Sequence, residues 1–265
     1  MLRLDDHLGH LAYTTTGDGP PLVLVHAGVA DHRMWDAVVP AFAAGHTVIR
    51  YDLRGFGESG VPTGPFSEAE DLGRLLDHLG YDRVRLVGAS WGGRVALDFT
   101  LTHPERVESL AILAAPWPGF AWGEEMVTYD AAETALLEAG DVDDAVELNL
   151  DMWLRGPSRT WDDVEAGLSE QLRSPMRTLL LNQDVVGRYS QGPGAGELAG
   201  LSVRTLVGVG KLDVADFQEI ARRYAAEIPG AEFVEFASAA HLIAMDAPGE
   251  VGDVLKEFLG VSGRP

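Results

Sequence analysis

Six short apolar runs set the narrowest limit on how this chain can fold: PLVLVHA (residues 21–27), TVIRYD (47–52), RVRLVGA (83–89), VESLAIL (107–113), VRTLVGVG (203–210) and AEFVEFA (231–237). A half-exposed strand alternates apolar and polar side chains, whereas these runs are nearly continuous, as strands buried on both faces of a parallel sheet are. Amphipathic stretches of helical period separate most of them: WDAVVPAFAA, SEAEDLGRLLDHLG, GGRVALDFTLTH, VADFQEIARRYAAEI and GEVGDVLKEFLG. Parallel neighbours need a crossover, and a helix is the usual one. The expected fold is therefore α/β, a mostly parallel central sheet with helices on both faces. The opening stretch, LGHLAYTTTGDGPP, reads instead as an antiparallel edge hairpin.

The alternation breaks once. Between the strand ending near Ala115 and the one starting near Ser202 there are helical patterns, such as VDDAVELNLDMWL and WDDVEAGLSEQL, but no strand pattern. The expected organisation is one core in two lengths, residues 1–115 and 202–265, interrupted by a helical cap at 116–201 over one end of the sheet. A chain of 265 residues with 46% hydrophobic content is long enough for one such domain and its insertion. No internal repeat is visible.

Charge and composition narrow the partners. Lys and Arg number 20 against 41 Asp and Glu, a formal charge of -21, which argues against nucleic acid and against an anionic membrane surface. The absence of cysteine removes disulfides, thiolate catalysis and sulfur-ligated metals together. The histidines are scattered without a ligand spacing, and no Gly-x-Gly-x-x-Gly follows the first strand, so no metal and no cofactor is expected. The start, MLRLDDHLGH, lacks the apolar core of a secretory signal, and the default expectation is a cytoplasmic protein acting on a small molecule. Nothing in the pattern fixes an oligomeric state.

The chemistry lies in LVGASWGGRVAL, residues 86–97. A strand that turns abruptly into a helix needs strained dihedrals at the corner and small neighbours around it. Gly88, Gly92 and Gly93 provide the room. Ser90 would then project its hydroxyl from the carboxyl end of the sheet, beside the positive end of the next helix, the geometry of a G-x-S-x-G nucleophile elbow. A capping serine in a glycine-rich turn is the simpler reading of the same residues. A serine hydroxyl is a weak nucleophile until a base takes its proton, and the base needs a group to orient it. VGVGKLDVADF offers Asp213 just past one strand, and FASAAHLIAMDAP offers His241 just past the next. Singly, Asp213 reads as a helix cap and His241 as a loop histidine. Jointly they follow Ser90 in the order serine, acid, histidine, and of the eight histidines only His241 follows the last apolar run.

With GASWGG stand HAGVADHRMW, YDLRGFGES, HPERV, GKLD and AAHLIAMDAP, in that order. Together they resemble the motifs of α/β-hydrolase fold serine hydrolases over almost the whole chain outside the insertion. The resemblance implies Ser90 as nucleophile, Asp213 as acid, His241 as base, and an oxyanion hole from the backbone N–H groups of Gly28 and Trp91. Two positions depart from the usual pattern: Ala27 follows His26 where glycine is common, and Ala240 precedes His241 where glycine is common. Within the superfamily, MWD, YDLRGFGES and the spacing to SEAEDLGRLLDHLG are most similar to 3-oxoadipate enol-lactonases, which have methionine where this chain has Trp91. The implied activity is hydrolysis of a small carboxylic ester or lactone through an acyl-enzyme. Serine rather than aspartate at the elbow argues against epoxide and haloalkane chemistry, which needs a carboxylate nucleophile.

Two alternatives stay open on these residues. GGR after the serine also resembles carbon–carbon bond hydrolases and the menaquinone-pathway lyase, although Ala89 replaces that lyase's tyrosine. The other alternative is a member of the fold that binds a small molecule without turning it over. Arg94 has two readings, a partner for an internal acid or a binder of a substrate carboxylate. His26 is expected to brace the oxyanion loop, Asp52, Arg54, Gly55 and Gly57 to shape a tight loop, and Lys211 to be solvated; His32 has no assignment. Trp117, Phe120, Trp122, Met126, Trp153 and Trp161 are expected to divide between pocket wall and the insertion's own core.

Overall fold

The computed structural model describes residues 1–189 and 198–260. Every one of the six apolar runs forms a strand, within two residues of the expected limits: β3 (Pro21–Val25), β4 (Thr47–Tyr51), β5 (Val84–Ala89), β6 (Val107–Leu113), β7 (Arg204–Gly210) and β8 (Glu232–Phe236). With β1 (Leu2–Asp6) and β2 (Gly9–Thr16) they make one eight-stranded sheet in the order β1-β2-β4-β3-β5-β6-β7-β8. The pairs from β4 to β8 are parallel, and β1–β2 and β2–β4 are antiparallel. The strand runs read as continuous apolar segments because β3 to β7 are buried along nearly their whole length. β8, at the edge, carries Glu232 and Glu235, charges that discourage edge-to-edge pairing.

The helices are α1 (Glu68–Leu79), α2 (Trp91–Thr102), α3 (Glu124–Ala139), α4 (Val142–Asn149), α5 (Leu168–Tyr189), α6 (Ala215–Glu227), α7 (Ile243–Asp246) and α8 (Pro248–Phe258). None of the described helices is long and apolar enough to cross a membrane. Their ends follow from local chemistry. Ser67 caps α1 by accepting from the Glu70 N–H, and Gly80, at φ 75°, closes it in the left-handed conformation that glycine adopts without strain. Between β6 and β7 the described residues hold α3, α4 and α5 and form no strand, as the missing strand pattern implied.

Two segments differ from expectation. WDAVVPAFAA forms no α-helix; the chain there makes two short 3-10 turns, His32–Trp35 and Val39–Ala41. Pro40 lacks an N–H, and its neighbours settle for the tighter bonds from Ala41 N–H to Val38 and from Phe42 N–H to Val39. The antiparallel hairpin lies further upstream than LGHLAYTTTGDGPP suggested. It pairs Leu2–Asp6 with Gly9–Tyr13, and the Asp6 carboxylate accepts the Leu8 N–H in the turn at 2.8 Å. The glycine and proline residues after Thr16 form the bend into β3 instead.

The chain enters the parallel part of the sheet at β3, runs outward to β4, then crosses to β5 on the other side of β3. Such a reversal opens a crevice at the carboxyl ends of the strands, where α/β folds bind ligands. Ser90 follows β5 at that crevice. The crossing depends on close backbone packing of α2. A Cβ on Gly88 would lie 2.1 Å from the Gly92 carbonyl oxygen, and one on Gly92 would lie 2.4 Å from that of His26. Gly88→Ala is therefore expected to lower unfolding free energy by about 3 kcal/mol or more, because backbone must shift to admit the methyl group. Gly45, where an added Cβ would meet nothing within 4 Å, is the control. Gly45→Ala should stay within about 0.5 kcal/mol of the parent in urea unfolding, and equal stability of the two variants would refute the packing argument.

Candidate active site

Ser90 sits between the last residue of β5 and the first of α2, at φ 50° and ψ −121°. A non-glycine residue held there stores on the order of 1–3 kcal/mol of strain, which the surroundings must hold. The Ser90 N–H donates to the Leu113 carbonyl at 2.7 Å, tying the corner to the end of β6. Next to it Ala114, at φ 49°, donates its N–H to Gly208 at 2.7 Å, so the ends of β5, β6 and β7 are linked in sequence.

The structure brings Ser90, His241 and Asp213 together. His241 Nε2 lies 2.8 Å from Ser90 Oγ, and His241 Nδ1 lies 3.0 and 3.2 Å from the two Asp213 oxygens. An ionised carboxylate only accepts, so Nδ1 carries the hydrogen and Nε2 is left to accept from the serine O–H. Asp213 and His241 are each 3% exposed, and the carboxylate also accepts the Val214 N–H at 2.7 Å. The imidazole packs against Phe217 and Trp153, with ring centroids 4.4 and 4.6 Å away. The loops meet this closely because β7 ends in glycine. A Cβ on Gly210 would lie 2.2 Å from the Ala240 carbonyl.

Gly28 and Trp91 adjoin each other beside Ser90. A Cβ on Gly28 would come within 3.3 Å of the Trp91 Cβ, and both residues line the same cavity as the serine. His26, fully buried, braces this loop: its Nδ1–H donates to the Ala27 carbonyl at 2.8 Å and its Nε2 accepts the Leu53 N–H at 2.9 Å. Both ring nitrogens are thereby committed to the neutral form, and burial holds the imidazole below its ordinary pKa.

The remaining residues singled out from the sequence are mostly architectural. Asp52 accepts from the His32 and Glu58 N–H groups, both at 2.8 Å, and pairs with His32 Nδ1 at 2.9 Å, which gives His32 its place. Arg54 bonds Asp71 and Asp6 in the interior, and Gly57, at φ 47°, passes so close to Asp52 that a Cβ would sit 2.2 Å from Oδ2. Lys211 is exposed. Arg94 is buried and pairs with Asp98 on the next turn of α2, at 2.7 and 2.9 Å, which settles its two readings in favour of the internal acid. Burial pushes the Asp98 carboxyl up to about 6 against the pull of that guanidinium. Asp31, His32 and Asp52 bring three possible metal donors within 4.8 Å of one another, a grouping that ligand spacing in the sequence does not reveal. Arg33 pairs with Asp31 at 2.6 Å, and Asp52 is engaged as above, so these donors already serve the loop.

A cavity of about 450 Å³ opens on Ser90. Its wall is largely apolar, with Phe56, Trp91, Trp122, Met126, Trp153 and Phe217, and its polar groups include Asn149, Gln183, Asp130 and Glu133. Of the six large residues expected to divide between wall and core, Trp122, Met126 and Trp153 reach the cavity. Trp117 packs on Tyr224 under the Arg223 guanidinium, Phe120 packs on Trp122, and Trp161 is exposed with its N–H on Asp151. Tyr129, Asn149, Gln183 and Phe217 do not stand out in the sequence. They come from helices whose facing is set by tertiary packing, with no motif to mark them.

Residues 20–135 match the family described as alpha/beta hydrolase fold. A soluble epoxide hydrolase of Corynebacterium sp. is 44% identical over 104 residues, an alignment covering 38% of this chain and 36% of that protein. The chain thus spans about a third of that relative's length. A pimeloyl-[acyl-carrier protein] methyl ester esterase of Aeromonas hydrophila is 28% identical over 262 residues, covering 92% of this chain and 97% of the esterase. A thermophilic esterase from Thermogutta terrifontis superposes with a TM-score of 0.80 at 28% identity, covering 98% of this chain and 99% of that one. Strand order, elbow and these likenesses agree: the chain has the alpha/beta hydrolase fold.

His26 makes a pH prediction. Its folded pKa lies below the ordinary value of 6.5, so the stability it contributes is complete above that pH and declines as acid protonates the unfolded chain first. Between about pH 8 and 5.5 the parent should lose more unfolding free energy than His26→Gln does, measured by urea unfolding at both pH values. Parallel pH dependences in the two proteins would contradict the buried neutral assignment.

Proposed function

We propose that the protein is a serine hydrolase that cleaves a small carboxylic ester or lactone through an acyl-enzyme. The observation that carries this reading is the continuous row Ser90–His241–Asp213, opening on an apolar cavity. His241 takes the Ser90 proton as Oγ attacks the carbonyl carbon, and Asp213 orients and stabilises the imidazolium that forms. The N–H groups of Gly28 and Trp91 receive the oxyanion. Collapse of the tetrahedral intermediate expels the alkoxide, which takes the proton from His241; from a lactone, the leaving hydroxyl stays tethered to the acyl group. Water, deprotonated by His241, then attacks the acyl carbon and releases a carboxylic acid and free Ser90.

Residues 116–201 act in this reading as the cap that walls the cavity and selects the substrate. A lyase or carbon–carbon hydrolase acting on an acidic substrate would need a cation for its carboxylate. Arg94, the residue nominated for that work, is spent on Asp98 and does not line the cavity. The epoxide hydrolase likeness covers about a third of that protein, and an elbow serine forms an ester that suits acyl transfer rather than epoxide opening.

The test is a panel of neutral short esters and lactones, p-nitrophenyl acetate among them, run beside Ser90→Ala. Turnover should fall by about a thousandfold or more in the variant with the melting temperature retained. A fluorophosphonate should label Ser90 in the parent alone. Near-parental turnover by pure Ser90→Ala removes the nucleophile assignment, whereas tight small-molecule binding without turnover or labelling would favour a binding protein.

A further inference from the structure

His241 is carried on the loop after β8, the edge strand of the sheet, and three contacts from one stretch of the helical insertion converge on that loop. The first is Trp153, packed on the imidazole at 4.6 Å. It lies in a π-helical turn, Leu150–Arg155, that continues α4 without interruption. A π turn winds an extra residue into the helix, is rare, and occurs mostly at functional sites, where it re-aims the side chains it carries. Here the indole is held from behind as well. Its N–H donates to the Tyr129 hydroxyl on α3 at 2.9 Å, and that oxygen lies 2.7 Å from Glu133 and 2.8 Å from Asn149 Oδ1. The phenol has one proton, which it donates to one of the two while accepting from Trp153. Asn149 also donates to the same Glu133 oxygen at 2.5 Å, closing the cluster.

The second contact is Gly156, which ends the π turn at φ 72°. A Cβ there would lie 2.9 Å from the Cβ of Ala240, so the backbone of the turn rests on the residue preceding His241. The third is Arg159. Its Nη2 donates to Asp246 Oδ2 at 2.9 Å, and that oxygen also accepts the Ala240 N–H at 2.8 Å. The same Nη2 also donates to the Leu154 carbonyl, and Nε donates to the Arg155 carbonyl, both at the end of the π turn. The Arg159 and Asp246 side chains are 7% and 2% exposed, so this pair is shielded from the solvent screening that weakens surface ion pairs.

We propose that residues 153–159 buttress His241 and that Trp153 is its positioning residue, so that the insertion holds the catalytic base as well as covering the substrate. This rests on His241 being the base. Positioning of a base affects the rate of proton transfer and not the affinity for a substrate too small to fill the cavity. Two readouts follow that a merely structural tryptophan would not move together: kcat against KM for p-nitrophenyl acetate, and the rate of Ser90 labelling by a small fluorophosphonate.

Trp153→Leu and Trp153→Ala should lower kcat and the labelling rate at least about tenfold while KM for the acetate ester stays within about threefold. Trp153→Phe, which keeps an aromatic face on the imidazole, should restore both rates to within about threefold of the parent. Melting curves accompany each variant; should the alanine form fail to fold, the leucine and phenylalanine forms decide. Parental labelling and kcat in Trp153→Leu would overturn the buttress, as would a loss confined to KM or an equal loss in Trp153→Phe. A parent that neither turns over esters nor labels at Ser90 would instead overturn the hydrolase reading on which the buttress stands.

Discussion

Close approach of the α2 backbone to β5 and β3 is the constraint on which the rest depends. Gly88 and Gly92 leave no space for a Cβ between strand and helix, and the helix can begin only one residue after the strand ends. That abruptness puts Ser90 at φ 50° with its hydroxyl beyond the sheet. Were the turn one residue longer, the side chain could relax into an ordinary conformation and withdraw from His241. The strain is retained because three strand ends are stitched around it by the Ser90 and Ala114 N–H groups.

The same economy governs the histidines. His26 and His241 are both buried, both hydrogen-bonded at two nitrogens, and differ in one respect. His26 gives and accepts with backbone groups that cannot change protonation, so it is locked neutral. His241 faces a carboxylate on one side and a hydroxyl on the other, partners that permit a proton to arrive at Nε2 and the resulting charge to be balanced. Geometry around the ring, more than burial itself, separates the brace from the base we propose.

What the sequence reveals about this fold follows the same division between local and long-range causes. The six core strands are legible because burial on both faces leaves an unbroken apolar signature, and the elbow because only small residues satisfy its clash constraints. Asp213 and His241 are legible as positions after strands, their meeting being a matter of strand order. The segment after β3 reads as a helix and is not one, because amphipathic period outweighs Pro40 in the pattern. The hairpin reads as lying downstream of its true place because LRLDD is too polar to stand out as a strand, as befits an edge with exposed residues on both faces. Tyr129, Asn149 and Phe217 have no local signal at all, since α3, α4 and α6 present them to the cavity through packing that spans most of the chain.

The insertion shows why such residues escape a reading by motif. Its helices bury only part of their surface, and α3 lacks a clear apolar stripe, so its period says little about which side faces inward. What orients it is polar: the cluster of Tyr129, Glu133 and Asn149, in which Trp153 donates to the phenol, Asn149 donates to Glu133, and the phenol proton is held between Glu133 and Asn149. Burial and the neighbouring Glu133 carboxylate push the Tyr129 phenol well up, which favours its protonated, donating form. A half-satisfied buried network costs more than an apolar core, so the cluster favours a single arrangement of α3 against the π turn. That arrangement points Trp153 at His241, and it makes the insertion's internal order and the order of the site one and the same property.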